Sequence, residues 1–510
     1  MLFLGVGVYK YELERKIILG LISEIRKNSP AIITILIFFL SLNCISCSKE
    51  KTINPKPNIV LISLDCLRKD HVGCYSNRPD FTPCIDKFSQ DGVIFENAFV
   101  QIPFTLPSHM SMLTGFYPDV TGLVPKDRIL TLKEVINWRG YQKVLNSNIS
   151  TLAEVLKKNG YQTIGFASSV WLKGDFGFDR GFDIYQLKGA GDFLYAPIIN
   201  RAVIKWLQNY NPQKGPFFLF LHYYDPHMDS EGEIQNSLPY YSPEKFRKRF
   251  APGADSENWC SPEGKCATEF LFYLENKGIH LDERKRKHLM ALYDSGIAYL
   301  DTQLRILFEE LKRQKVYDNS LIILTSDHGV EFGEHGKYIH NQTYDENIRV
   351  PLMIKFPHGL YQGRKVDFFV ETVDFLPTIL DFLKIEDVQK RQGRSFLPLL
   401  AGKSSNQKEK TYIFSRRKTG ALRYCIRNRE YKLIFNRKTG EVELYNLRED
   451  PGETKNLKDS LPEKRKELLT RLRAFLKEND SLAKKYKVQS ISSQISKEEE
   501  ETLKALGYVR

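Results

Sequence analysis

The sequence predicts an α/β fold: a central, largely parallel mixed sheet with helices on both faces, plus a small C-terminal antiparallel-sheet subdomain. Between residue 58 and about residue 400, apolar runs that suit buried strands alternate with helical segments. Short β-rich segments follow at 411–446. We therefore divide the 510 residues into a signal or anchor (1–47), a linker (48–57), a catalytic domain (58–400), a C-terminal α+β subdomain (401–480) and a charged tail (481–510).

The first 47 residues predict export. Arg26 and Lys27 precede an apolar run at 31–42, which is too short for a comfortable membrane span. Ser46 and Cys47, followed by polar residues, resemble a bacterial lipoprotein cleavage site. We expect a lipid on Cys47 and an exported protein anchored to the membrane of the cell envelope. An uncleaved N-terminal anchor is the alternative, and a misplaced start codon would account for residues 1–20.

The elements of the catalytic domain follow from local patterns. Apolar or β-rich runs predict strands at 58–64, 92–99, 161–167, 217–222 and 320–325. Capping signals and helical periodicity predict a helix that starts at Thr82-Pro83 and helices at 151–160, 285–315 and 461–478. In the C-terminal subdomain, strands are expected at 411–416, 422–428, 431–436 and 442–446.

Two segments lack clear periodicity. We interpret 124–149 and 229–284 as insertions, and we expect the second to be irregular and to lie over the site, where loops often determine specificity. Cys260 and Cys266 lie six residues apart beside turn-forming residues, so a local disulfide is a reasonable expectation in an exported protein.

The stretch 104–115 suggests a reactive position. Pro107 suits the first position of a helix, which would place Thr105 just ahead of the helix N-terminus. Free N–H groups and the positive end of the helix dipole would favour an anionic ester there. An N-cap threonine before an ordinary surface helix would give the same pattern.

Two strands that end in carboxylates favour the first interpretation. Asp65 follows strand 58–64, and Asp327 and His328 follow strand 320–325. Ligand sites in open α/β sheets lie at the carboxyl ends of strands, so these residues can converge on Thr105. Two carboxylates, an imidazole and a hydroxyl make a plausible site for a divalent metal ion.

With these residues in view, the chain resembles the sulfatase family of the alkaline-phosphatase-like superfamily, and in particular its bacterial members with threonine at the nucleophile position. The resemblance runs from Asn58 to Leu457 and rests on six motifs in the family's order. They are the Asp65 strand, the Pro107–Gly115 helix, Gly160-Tyr161-Gln162-Thr163, Asp225-Pro226-His227, Ser326-Asp327-His328-Gly329, and Glu443-Leu444-Tyr445-Asn446-Leu447 with Asp450-Pro451.

The resemblance implies a hydrolase that cleaves sulfate or phosphate esters by in-line attack of Thr105. It implies one divalent ion, whether manganese, zinc, calcium or magnesium, on Asp65, Asp327, His328 and Thr105. Family sulfatases carry a cysteine or serine that is oxidised to formylglycine. Threonine cannot form that aldehyde, so we expect no formylglycine. The expected substrate is a sulfated or phosphorylated saccharide, lipid or aryl ester.

Further site residues are implied by the same motifs. His227 is expected to touch the anion or to protonate the leaving oxygen. His109 stands where the family has arginine and would support catalysis from behind Thr105. Cys66 stands where most family members have a second aspartate, directly after the one that corresponds to Asp65. His340 aligns with a family lysine and would bind the anion or a second metal ion. The remaining substrate-binding predictions are His335 and Arg68.

Three functions stay open at this stage. The first is a sulfatase, which the family favours. The second is a phosphodiesterase, a phosphonate hydrolase or a phosphoethanolamine or phosphoglycerol transferase, which Thr105 favours. The third is a catalytically silent binding protein, against which the retained Asp65, Thr105, Asp327 and His328 speak. The net charge of +13 comes from scattered basic residues, so we expect no nucleic-acid partner.

Overall fold

The computed structural model describes residues 56–76, 78, 81–124, 143–187, 195–228, 238–402, 408–417, 422–486 and 489–490. The predicted signal segment with Cys47, nearly all of the linker and most of the tail lie outside these ranges. Within them, no helix is both long enough and apolar enough to cross a membrane.

The bounds of the regular elements are as follows. The strands are β1 Asn58–Leu64, β2 Val93–Phe95, β3 Ala98–Phe99, β4 Lys143–Val144, β5 Gln162–Ala167, β6 Ile184–Leu187, β7 Phe217–Tyr223, β8 Ser320–Ser326, β9 Arg349–Val350, β10 Leu352–Lys355, β11 Arg364–Val366, β12 Val370–Glu371, β13 Ile413–Arg416, β14 Arg423–Arg427, β15 Tyr431–Asn436, β16 Val442–Asn446 and β17 Gln489–Ser490. The α-helices are α1 Gly73–Ser76, α2 Pro83–Gln90, α3 Thr105–Thr114, α4 Pro118–Thr121, α5 Leu152–Lys158, α6 Tyr195–Gln208, α7 Glu244–Phe250, α8 Thr268–Lys277, α9 Glu283–Arg313, α10 Asp345–Ile348, α11 Phe375–Leu383, α12 Leu397–Leu400 and α13 Pro462–Lys485. Short 3-10 helices lie at Lys69–His71, Val170–Leu172, Gly174–Phe176, Pro212–Lys214, Ala254–Ser256, Glu334–Gly336, Pro357–Gly359 and Thr372–Asp374.

An eight-stranded sheet with the order β11-β2-β10-β8-β1-β7-β5-β6 forms the centre. Strands β8, β1, β7, β5 and β6 are mutually parallel, whereas β10 runs antiparallel to both of its neighbours. Every residue of β1, β7 and β8 is buried, as their unbroken apolar runs predict. The prediction of a mixed, largely parallel sheet is confirmed.

The register of the central strands brings their carboxyl ends to one edge. Leu64, the last residue of β1, pairs with Tyr223 of β7 on one side and with Ser326 of β8 on the other. The residues that follow, Asp65 and Asp327, therefore leave the sheet side by side. This is the edge at which ligands bind in open α/β sheets.

Helices cover both faces of this sheet. Along β1, Ile59 and Leu61 join one buried apolar cluster, while Val60 and Ile62 join the cluster on the opposite face. Helix α3 packs in the first cluster and the long helix α9 packs in the second. Both helices are thereby fixed against the strands whose ends carry the site.

The C-terminal sheet has the order β13-β14-β15-β16 and is antiparallel throughout, as predicted. Leu468, Leu472 and Leu476, spaced one helical turn apart on α13, bury their side chains against its apolar face. This helix continues to Lys485, beyond the predicted end at residue 478.

Several sequence predictions need correction. The described part of the insertion 229–284 is not irregular, since it contains α7 and α8, and α8 buries Phe270, Leu271 and Leu274 in the core shared with α9. The expected disulfide Cys260–Cys266 is present. The predicted strand 92–99 is two short strands, β2 and β3, which belong to different sheets. Most of 124–149 lies outside the described residues.

Candidate active site

Thr105 is the first residue of α3. Phe104 is extended, with φ −159° and ψ 128°, and its carbonyl accepts from the N–H of Ser108, so the helix begins at Thr105. The prediction that the helix starts at Pro107 was wrong. Pro107 is the third residue, where its missing N–H costs no intrahelical hydrogen bond, because the first four N–H groups of a helix have no partner within it. The Thr105 side chain is nevertheless at the N-terminus, as expected.

The four predicted metal ligands lie together. Thr105 Oγ1 is 3.5 Å from Asp65 Oδ2, with the hydroxyl as donor. His328 Nε2 is 3.6 Å from Asp65 Oδ1 and 3.4 Å from Asp327 Oδ2. All four side chains are buried. Residues up to 263 positions apart in the chain are thus brought into one small volume by the sheet edge and the start of α3.

A divalent cation fits this arrangement. Asp65 Oδ1 and Asp327 Oδ2 are buried and accept no hydrogen bond within the described part of the chain. His328 Nδ1 lies 3.0 Å from the carbonyl of Gly329, which can only accept, so the ring nitrogen that faces the two carboxylates is the one with the lone pair. Two carboxylate oxygens and an imidazole nitrogen suit manganese, zinc or magnesium.

The two carboxyl groups differ in their electrostatics. Burial opposes ionisation of Asp65, but the charge of His227, together with the hydrogen bond and charge of His222, holds its pKa well below the ordinary value. For Asp327, burial and then the negative charge of Asp65 raise the pKa well above the ordinary value. A positive ion against the shared face would favour the ionised form of both groups.

His222 is a site residue that sequence reasoning did not assign. Its Nε2 lies 3.1 Å from Asp65 Oδ2, the oxygen that also accepts from Thr105. From the sequence alone, a histidine within a buried apolar strand is interpreted as a core residue. The available signal was its position: His222 is the only histidine in the otherwise aromatic and aliphatic strand β7, and it pairs with Ser63, two residues before Asp65.

His109 lies behind Thr105 and is fully buried. Its Nδ1 is 2.7 Å from the carbonyl of Thr105 and its Nε2 is 2.8 Å from Ser63 Oγ. Burial, followed by the charge of His222, lowers the pKa of His109 to about 3. The ring is therefore neutral and holds the backbone of the first helical turn, which matches a supporting role and leaves no path for proton exchange with a substrate.

His227 and His340 face each other beside this cluster. Their Nε2 atoms are 3.1 Å apart, and the ring of His340 stacks on that of His328 with centroids 4.1 Å apart. His340 is buried, whereas His227 is partly exposed. The geometry thus brings both residues to the site and puts His227 on its solvent side.

Arg68 and His335 make other contacts. The Arg68 guanidinium donates to Asp70, to Glu334 and to the carbonyl of Val330. His335 Nε2 lies 3.1 Å from Glu346 Oε1, and its ring stacks on Tyr344. Their roles in substrate binding stay predictions, and these contacts favour structural roles instead.

Two family models match the chain: one described as sulfatase at residues 57–385, and one described as N-sulphoglucosamine sulphohydrolase, C-terminal, at residues 333–481. An N-acetylglucosamine-6-O-sulfatase of Bacteroides thetaiotaomicron is 24% identical over 88% of this chain and 90% of its own. A multifunctional alkaline phosphatase superfamily protein of Trinickia caryophylli is 28% identical over 69% of this chain and 78% of its own. The structure of a phosphonate monoester hydrolase of Agrobacterium radiobacter superposes with a TM-score of 0.64 at 20% identity, covering 87% of this chain and 98% of that one.

Proposed function

We propose that this chain, which belongs to the sulfatase family, is a metal-dependent hydrolase. It cleaves an anionic sulfate or phosphate ester through the unmodified hydroxyl of Thr105. The observation that carries the proposal is the convergence of Thr105, Asp65, Asp327 and His328 at one buried point, with one oxygen of each carboxylate accepting no hydrogen bond among the described residues. Such a cluster is expensive to bury unless it binds a charged ligand.

The threonine is placed to attack. Its Oγ1 donates toward Asp65 Oδ2, so the proton lost on attack has a route to that carboxylate, and His222 holds the same oxygen from the other side. The N-terminus of α3 presents N–H groups and a positive dipole end to an anion bound there. A divalent ion held by Asp65, Asp327 and His328 would supply Lewis-acid stabilisation of the charge that develops in the transition state.

The reaction then has two halves. In the first, Thr105 Oγ1 forms a bond to sulfur or phosphorus while the bond to the leaving oxygen breaks, and His227, on the solvent side, donates a proton to that oxygen. In the second, water attacks the sulfur or phosphorus of the ester on Thr105, and His227 takes a proton from the water. The bond to Thr105 Oγ1 breaks, and this oxygen regains its proton from Asp65. The enzyme is thereby regenerated, and the products are an alcohol and the sulfate, phosphate or phosphonate anion.

A formylglycine mechanism does not suit these residues. Oxidation of a threonine side chain gives a ketone, which hydrates poorly, rather than the aldehyde that family sulfatases use. His109, at the family's arginine position, is neutral and bound to Ser63 and the Thr105 backbone. A hydrated aldehyde would lack its usual cationic partner there.

The substrate class follows from the relatives and from the nucleophile. The Bacteroides relative is named for a sulfated amino sugar, which favours a sulfated saccharide. Thr105 favours a second candidate, a phosphonate monoester or phosphodiester, since a threonine alkoxide is a sufficient nucleophile for phosphoryl transfer.

Attachment to the cell envelope through Cys47 is part of the proposal. Cys47→Ser should release the protein from membranes or block its processing. Unchanged membrane fractionation of the variant would contradict the attachment.

The test is a substrate panel. The full chain, loaded in turn with manganese, zinc, magnesium and calcium, is assayed with an aryl sulfate, a phosphate monoester, a phosphodiester and a phosphonate monoester. We expect hydrolysis of at least one class, and its loss together with bound metal in Asp327→Ala. An Asp327→Ala variant that keeps metal and turnover would contradict the ligand assignment, and a metal-loaded wild type that is inactive on all four classes would contradict the proposed function.

A further inference from the structure

A second group of ligating atoms lies beside the first. Cys66 Sγ and one ring nitrogen from each of His227 and His340 lie within 4.8 Å of one another, and the two Nε2 atoms are 3.1 Å apart. In a tetrahedral zinc site with Zn–N near 2.1 Å and Zn–S near 2.3 Å, ligand atoms are roughly 3.3–3.7 Å apart. The two nitrogens are near this separation, and the sulfur lies within 4.8 Å of both, so a small movement of the side chains would bring all three to one ion.

The ring of His340 is oriented for coordination. Its Nδ1 lies 3.1 Å from the carbonyl of Pro103, which can only accept, so Nδ1 carries the proton and the Nε2 lone pair points toward His227. Stacking on His328 fixes the plane of this ring. A histidine whose other nitrogen donates to a carbonyl is the usual arrangement of metal-binding imidazoles.

The ring of His227 is also held in place. It stacks on Tyr224 with centroids 4.4 Å apart and an interplanar angle of 17°. Its backbone N–H donates to the carbonyl of Tyr224, which closes the turn after β7. Both imidazoles are therefore positioned by groups outside the cluster itself.

The backbone directs the Cys66 thiol to the same place. Cys66 has φ +58°, a left-handed conformation that residues other than glycine rarely adopt. Its N–H donates to Asp327 Oδ1, and its carbonyl accepts from Tyr293 Oη at 2.7 Å. This turn brings Sγ to 3.4 Å from His328 Nδ1 and to within 4.8 Å of a ring nitrogen of both His227 and His340.

The donor set differs from that of the first site. Asp65, Asp327 and His328 offer mainly hard carboxylate oxygens, whereas Cys66, His227 and His340 offer one sulfur and two imidazole nitrogens. We infer that these three residues form a second cation site, for a thiophilic divalent ion such as zinc, with one coordination position left for water or substrate. Binding uses neutral imidazoles and a thiolate, so the Cys66 proton is released to solvent. This inference concerns binding to the resting enzyme. An imidazole that binds an ion through Nε2 cannot donate a proton from that atom, so the second ion would block the proton transfer proposed for His227.

Cobalt(II) is a suitable probe, because a thiolate ligand gives it a sulfur-to-cobalt charge-transfer absorption band. Titration of the metal-free full chain should show two cobalt ions per chain and this band. His227→Asn and His340→Asn should each lose the band and one ion. Asp327→Asn keeps an oxygen for the Cys66 N–H but replaces the metal-facing Oδ2 by an amide nitrogen, so it should lose the other ion and keep the band. Cys84→Ser, which changes a partly buried thiol elsewhere, serves as the matched control and should leave both signals unchanged.

Two outcomes would overturn the inference. One is a single cobalt ion without the band. The other is a band that is lost in Asp327→Asn but kept in His340→Asn, which would place the thiolate in the first site. X-ray absorption of the zinc-loaded wild type needs no variant to fold, and it should show a Zn–S path for one of two bound ions. Spectra with nitrogen and oxygen neighbours alone would contradict the site.

Discussion

Two buried polar clusters in this protein contain similar groups in opposite electrostatic situations. At the sheet edge, Asp65 and Asp327 lie together with His328. Between the main sheet and the C-terminal sheet, Asp345 and Glu453 lie around Lys432, whose Nζ is 3.1 Å from Asp345 and 3.0 Å from Glu453. We call these the edge cluster and the C-terminal cluster. In the C-terminal cluster, the chain supplies its own cation, the Lys432 ammonium.

The pKa values express this difference. Burial opposes ionisation of Asp345, but Arg427 and then Lys432 hold its pKa well below the ordinary value. Burial raises the pKa of Asp327, and the negative charge of Asp65 raises it further. Asp327 is fully buried and Asp345 is mostly buried, and only Asp345 has a lysine and an arginine beside it. A buried carboxylate that the chain pairs contributes to structure, whereas one that it leaves without a cation points to a bound ligand.

The largest effect is expected at Thr105, the hydroxyl of the edge cluster. Thr105→Ala should lower kcat/KM at least about a thousandfold, because removing a nucleophile leaves only the rate supplied by binding and electrostatics. Thr105→Ser should keep measurable activity, since the hydroxyl survives. Steady-state kinetics of both variants on the best substrate of the panel are the measurement.

Thr114→Ala is the matched control for this prediction. Thr114 is buried at the other end of α3, where its hydroxyl donates to the carbonyl of Met110. Its removal should change kcat/KM by only a few fold. An equal loss in both variants would mean that a damaged helix, rather than a missing nucleophile, explains the result.

The next effect concerns stability and separates the two clusters. Lys432→Met should lower the free energy of unfolding by roughly 3–5 kcal/mol, because it leaves the buried Glu453 without its cation and Asp345 with Arg427 alone. Asp327→Asn, measured in a chelator at neutral pH, should change it by less than about 1 kcal/mol. Burial and the charge of Asp65 favour the protonated form of that carboxyl when no cation is bound, and asparagine resembles the protonated form.

Urea unfolding of the two variants and the wild type gives both numbers. A strong loss of stability in Asp327→Asn under chelation would show that the edge cluster is also structural. An unchanged Lys432→Met would show that Arg427 alone suffices for the C-terminal cluster. Either result would remove the contrast between the two regions.

A smaller effect is expected at His222, which holds Asp65 from the side opposite Thr105. His222→Gln should weaken divalent-ion binding about 10–100-fold, the usual effect of losing a group that orients a metal ligand. His288→Gln is the control, because His288 makes a similar 2.8 Å contact to Glu257 away from the site. Isothermal titration of metal-free protein should show full affinity in the control, and equal affinity in both variants would reject the orienting role.

Local sequence patterns predicted several elements of the fold and part of the site. The apolar runs before Asp65 and Asp327 predict strands, and the shared edge of parallel strands predicts that the two carboxylates meet. The C-terminal strands and α13 were predicted in the same way from short-range periodicity. These predictions succeed because the apolar runs and the alternation of apolar and polar residues lie within the element that they predict.

Other features depend on contacts between distant segments. His222 is assigned to Asp65 only through the pairing of β7 with β1, which no pattern within β7 reveals. Helix α8 is fixed by apolar residues that pack into the core shared with α9, so its sequence alone suggested an irregular insertion. Arg68 is held by Glu334, which lies far along the chain. In each case tertiary packing determines the outcome, and local propensity does not.

The most direct test of the account is a search for the covalent intermediate on Thr105. Enzyme quenched during turnover of the best substrate is digested, and the peptide containing Thr105 is analysed by mass spectrometry beside the same peptide from resting enzyme. We predict an intact threonine at rest and the addition of one sulfuryl or phosphoryl group at Thr105 during turnover. A peptide that stays unmodified through turnover, together with an active Thr105→Ala variant, would contradict the account.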